Sequence, residues 1–190
     1  MKAIINEKKI LSNKWGEYAE YHITYTRTDG KVEHQVREIQ DNGNGAAVLL
    51  YHPVRKTVIL IQQFRLASMV NGNESGILYE VPAGLVEDGD AGATIKREIL
   101  EETGVIASDV KYLFSAYATP GAKTEKISFF TATYDEIIES GKNTGLDHEQ
   151  EDIIIHEMPF DIAYNGIGEG MIQDCKTIIL LQYAKISLGL

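Results

Sequence analysis

Three glutamates, Glu98, Glu101 and Glu102, stand together immediately after Arg97 and just ahead of Thr103-Gly104. Helix positions three and four apart share a face, so at about 100° per residue these carboxylates span an arc of about 100°. That arc overlaps the apolar stripe of Ala91, Ile95 and Ile99. Acidic faces are ordinarily solvated. Beside an apolar stripe, carboxylates repel one another and lose hydration unless a cation sits among them. These three also lie towards the C-terminal end of the helix, where the dipole disfavours negative charge. A hard divalent cation removes both problems. Carboxylate oxygens suit Mg²⁺ or Mn²⁺, ions that bind alongside substrate phosphates.

The surrounding pattern supplies elements to hold them. Asp90 is a natural N-cap, Ala91 to Thr103 a helix body and Gly104 its stop. Leu100 and Ala93 point away from the stripe, which predicts cover on both sides of the helix. Residues 78–83 read as a strand running into Gly84. Glycine there suits a backbone that must approach a metal or phosphate closely. Residues 46–51 and 57–63 are near-continuous apolar runs, the mark of buried strands. Residues 110–118 and 127–134 are two further strands around the turn Thr119-Pro120-Gly121. A short helix is predicted over 160–165, and Asp174 caps a final helix ending near Ser187.

Near the N-terminus, residues 15–26 and 32–39 flank Asp29-Gly30, a hairpin signal. A two-stranded ribbon alone is marginal in water, so it must lie on the core or on a second subunit. The turn cluster at 41–45 sets the expected division: a ribbon over 1–43 and a main domain over 44–190. Periodicity supports an alternating α/β fold.

Composition narrows the partners. A formal net charge of −10 argues against nucleic acid. The single cysteine, Cys175, excludes an intrachain disulfide and favours a reducing compartment. There is no apolar run of about 20 residues to span a membrane. The opening Met1-Lys2-Ala3-Ile4-Ile5-Asn6 is too polar for a signal peptide, so the expected location is the cytoplasm.

The run Arg97-Glu98-Ile99-Leu100-Glu101-Glu102-Thr103-Gly104-Val105 resembles the Nudix box, the loop–helix–loop of hydrolases that cleave nucleoside diphosphates linked to another group. The box differs at one point: only six residues separate Asp90 from Arg97, where the family usually has seven after its first acid. The GDP-mannose hydrolase branch shares that shortening. The runs Val70 to Gly76, Glu80-Val81-Pro82-Ala83-Gly84 and Gln63-Phe64-Arg65 also look like that branch and its ADP-ribose neighbour. Pro120, sixteen residues past Gly104, matches the marker of sugar-nucleotide hydrolases.

The resemblance implies a Nudix α/β/α sandwich with a mixed sheet, and an N-terminal ribbon used in a homodimer. It implies metal held by the Ala83 carbonyl, Glu98, Glu102 and a late-loop acid, Glu151, with Glu149 as the alternative. Glu98, Glu101, Glu102 and Glu151 are the catalytic candidates, and Arg97 orients Glu101. Substrate would be held by Trp15, Arg37, Glu38, Arg65, Gly84, Leu85, Glu125 and Lys176. Trp15 stands where the branch carries a tyrosine. GDP-mannose is the preferred substrate, cleaved to GMP and mannose 1-phosphate, with ADP-ribose next. A sugar-nucleotide sensor that binds without cutting would have lost box carboxylates, and all three are present.

Overall fold

The computed structural model describes residues 1–87, 89–135, 141, 143 and 152–190. The chain divides into two compact units, Met1–Asn44 with Ser115–Ile127, and Gly45–Phe114 with Ser128–Leu190.

The first unit is built on an antiparallel sheet of three strands, β1 (Lys2–Ser12), β2 (Glu17–Thr26) and β3 (Val32–Asp41), in that order. The expected hairpin is β2–β3, and its turn uses Gly30 at φ 83°. β1 is an addition to the two strands the sequence suggested. It pairs along β2 from Lys2 opposite Thr26 to Ser12 opposite Tyr18, and every one of its residues is exposed. A strand that buries neither face carries no burial alternation to read. Within the same unit Gln40 of β3 exchanges backbone hydrogen bonds with the loop that holds Pro120: its N–H donates to Ala122 O at 2.9 Å, and Thr124 N–H donates to Gln40 O at 3.1 Å.

The second unit holds most of a seven-stranded mixed sheet. Its strands are β4 (Gly45–His52), β5 (Thr57–Phe64), β6 (Ile77–Glu80), β7 (Ala83–Leu85), β8 (Ser108–Tyr117), β9 (Lys126–Thr133) and β10 (Ile154–Pro159). The order is β10-β5-β4-β9-β8, with β6 on β5 and β7 on β4. The helices are α1 (Leu66–Val70), α2 (Ala91–Thr103), α3 (Phe160–Glu169) and α4 (Cys175–Ser187). Ala46, Val48 and Leu50 of β4 pack with Ile95 and Ile99 of α2 in one core cluster. Ala47 and Leu49 point to the opposite face and are equally buried, and α4 also packs on β4. The central strand is thus covered on both faces, as its unbroken apolar run requires.

Two expectations change. Leu100 is 56 % exposed and Ala93 is exposed, so α2 is covered on one side only, as befits an outer-layer helix. The strand expected over 78–83 breaks after Glu80 and resumes at Ala83. Proline has no N–H for a ladder, and the Pro82 carbonyl instead accepts from Val48 N–H at 3.0 Å. Among the described residues no helix is long and apolar enough to cross a membrane.

Candidate active site

α2 starts where Asp90 accepts hydrogen bonds from Gly92 and Ala93 N–H, both at 2.9 Å. It ends at Gly104, whose φ of 68° is left-handed and whose N–H donates to Leu100 O. Asp90 is therefore a helix cap. Between these ends α2 delivers Glu98 and Glu102, one turn apart, to the same two residues of β7. Glu102 is 3 % exposed, and its Oε2 accepts from Ala83 N–H at 3.0 Å. The Glu98 carboxylate occupies the space beside Gly84. A Cβ built on that glycine would lie 2.1 Å from Glu98 Oε1 and 2.2 Å from its Cδ. Glycine is needed at 84 for room, which sharpens the close-approach argument made from sequence.

Arg97 orients more than the one carboxylate expected of it. Its Nη1 donates to Glu101 Oε2 at 2.6 Å and its Nη2 to Glu98 Oε1 at 2.8 Å. A single guanidinium thus fixes two acids, a use of its planar fork that lysine could not reproduce.

A second polar cluster sits at the start of α4. Arg65 follows β5 and grips Glu80 side-on, Nε to Oε1 at 2.8 Å and Nη2 to Oε2 at 2.9 Å. Lys176 Nζ bonds the same Glu80 carboxylate and also Asp174 Oδ1, the latter at 3.0 Å. Asp174 caps α4 by accepting from Thr177 N–H at 2.9 Å and from its hydroxyl at 2.6 Å. The Thr177 oxygen accepts in turn from Val81 N–H at 2.8 Å. Burial alone would raise the Glu80 carboxyl, but the Arg65 hydrogen bonds and the Lys176 charge outweigh it and hold the group below its ordinary value. Lys176 is thus neither a plain surface lysine nor a free one. Sequence reasoning assigned Glu80 no role. The available signal was an acid ending an apolar strand, since a buried carboxylate needs a cationic partner.

Four more of the expected residues fall in the first unit. Trp15, in the β1–β2 turn, is 83 % exposed. Arg37 donates to Val36 O and to Gln35 Oε1, and Glu38 accepts from the Tyr18 hydroxyl. The Glu125 carbonyl accepts from Ala118 N–H. In the second unit, Leu85 is half-exposed beside Gly84. Glu151 and Glu149 lie outside the described residues.

Among the described residues no three His, Cys, Asp or Glu side chains already form a metal cluster. The donor chemistry nonetheless fits a hard divalent cation. Two carboxylates converge on the Ala83-Gly84 backbone, and Gly84 carries no side chain to displace the Glu98 carboxylate beside it.

Fold and site together are those of a hydrolase family. The NUDIX domain model matches residues 41–165, and the chain belongs to that family as a Nudix hydrolase. Enzymes of the family generally require a divalent cation. The chain is 45 % identical over 182 residues to the GDP-mannose pyrophosphatase of Pectobacterium atrosepticum, covering 96 % of this chain and 93 % of that protein. It is also 45 % identical, over 181 residues, to proteins of the same name from Escherichia coli O157:H7 and Shigella dysenteriae serotype 1, covering 94 % of this chain and 93 % of each.

Proposed function

We propose that the protein hydrolyses the pyrophosphate bond of GDP-mannose, giving GMP and mannose 1-phosphate, with Mg²⁺ held by Glu98, Glu102 and the Ala83 carbonyl. The observation that carries this reading is the meeting of two α2 carboxylates at Ala83-Gly84, in a chain 45 % identical to GDP-mannose pyrophosphatases over nearly its whole length. When bound, the cation neutralises phosphate charge and lowers the pKa of a water. The chain's own groups do the rest. Arg97 holds Glu98 and Glu101 so that the acids keep one orientation through the reaction. The Gly84-Leu85 backbone, with no Cβ at 84 to push Glu98 aside, meets a substrate phosphate next to that carboxylate. Arg65 and Lys176 bind substrate oxygens, and Trp15, Arg37, Glu38 and Glu125 of the first unit bind the nucleotide sugar. Glu151 supplies a further acid as metal ligand or general base.

The β1–β3 sheet joins two copies of the chain. Its exposed Ile4, Ile5, Ile10 and Leu11 are the apolar surface a second copy would cover, and sedimentation should return twice the chain mass. The free Cys175 suits the reducing cytoplasm.

The test is hydrolysis of GDP-mannose, ADP-ribose, UDP-glucose and a diadenosine polyphosphate, with Mg²⁺ and with chelator, products separated by chromatography. The expected best reaction is Mg²⁺-dependent release of GMP and mannose 1-phosphate. AMP and ribose 5-phosphate as the best products would replace GDP-mannose by ADP-ribose. Tight binding without turnover would replace the enzyme by a sensor.

A further inference from the structure

Glu80 is 1 % exposed, and the metal chemistry above makes no use of it. It ends β6 after Ile77-Leu78-Tyr79, where a lone carboxylate could not remain charged. Two cations from distant parts of the chain meet on it. Arg65 contributes Nε and Nη2, and among the described residues its Nη1 takes no partner; the side chain is 43 % exposed. Lys176 contributes Nζ and is 14 % exposed. Without a shared anion these two side chains would repel one another and splay apart.

The charges of Arg65 and Lys176 are matched by those of Glu80 and Asp174. The cluster therefore exerts little long-range pull on an anion. What it offers is direction: a guanidinium clamped along its Nε–Nη2 edge on a partly exposed side chain, and an ammonium fixed beside the same carboxylate. The network also continues without a gap through Asp174 and Thr177 to Val81 N–H, two residues before Ala83.

We propose that Glu80 is a positioning residue for substrate: it gathers Arg65 and Lys176 into one cationic edge that receives an anionic oxygen of the nucleotide sugar. This rests on the reading of the protein as a nucleotide-sugar hydrolase in which Arg65 and Lys176 meet the substrate. An edge that orients substrate equally in ground and transition states acts on KM and leaves kcat nearly alone. A contribution to folding alone would move neither in protein that has folded.

The experiment is steady-state hydrolysis of GDP-mannose with Mg²⁺ by wild type, Glu80→Gln, Arg65→Ala and the double variant, each checked for folding by circular dichroism. The expected result for Glu80→Gln is a KM raised about tenfold with kcat within about threefold. In the Arg65→Ala background the same change should raise KM by clearly less than in wild type, about threefold, because only Lys176 remains for Glu80 to position. An equal increase in both backgrounds, an unchanged KM, or a loss confined to kcat would overturn the proposal. Should Glu80→Gln not fold, Glu80→Asp keeps the charge but withdraws it by one methylene. A raised KM with kcat retained supports the proposal, and a wild-type KM in folded Glu80→Asp defeats it. Wild type that spares GDP-mannose but cleaves ADP-ribose overturns the choice of sugar nucleotide instead. The same four proteins then give the Glu80–Arg65 coupling on ADP-ribose.

Discussion

An alanine at position 84 would place its Cβ 2.1 Å from Glu98 Oε1, 2.2 Å from Cδ and 2.7 Å from Cγ, all atoms of one side chain and none of the backbone. Relief is therefore local: the carboxylate swings away and the backbone stays. Gly84→Ala should lose about a hundredfold or more in kcat, because displacing a reacting group by about 1 Å can cost that much. Its melting temperature should stay within a few degrees of wild type. Glu102→Gln separates charge from shape in the same way. The amide oxygen can still accept from Ala83 N–H, so the fold should survive. A metal-borne stabilisation of several kcal/mol corresponds to a loss on the order of a thousandfold in turnover. Folded Glu102→Gln that turned over at the wild-type rate would remove Glu102 from the metal site.

The helix that carries Glu98 and Glu102 makes its own prediction. Asp90 accepts two backbone hydrogen bonds at the start of α2, and removing such a cap costs about 1 kcal/mol. Asp90→Ala should lower the melting temperature by about 2–4 °C and leave kcat within a few-fold. A loss of activity by orders of magnitude would return Asp90 to the role of the box's first acid. α2 and α4 were legible because each is marked by its own capping aspartate, and α2 also by its closing glycine. Glu98 and Glu102 were legible through their spacing. β1 was not, since its exposed residues obey no inward alternation, and neither was α1, which is too short to show a period. The Arg65–Glu80–Lys176 cluster escaped for a different reason. Its hydrogen bonds join residues as far apart as 96 positions, and no local pattern reports a pairing of that range.

For the molecule as a whole, that long-range cluster should shape the response to acid. Glu80 is buried, and although burial pushes its carboxyl upward, Arg65 and Lys176 hold it below its ordinary value. A carboxyl depressed in the folded state contributes stability that is fully present above the unfolded value, about 4.3, and is lost as pH falls through the folded value. Neutral to mildly acid pH should leave this contribution intact, with the loss falling below about pH 4.3. Exposed ion pairs such as Arg27–Glu33 add little to that slope, because solvent screens them. Urea unfolding followed by circular dichroism from pH 7 to pH 3 should show wild-type stability dropping on the acid side. Glu80→Gln leaves two cations around a neutral amide, so it should be less stable at pH 7. It should also have a shallower acid slope, since the proton taken up by Glu80 in the wild-type transition is no longer there to bind. Parallel slopes in the two proteins would mean that the carboxylates governing acid unfolding lie elsewhere in the chain.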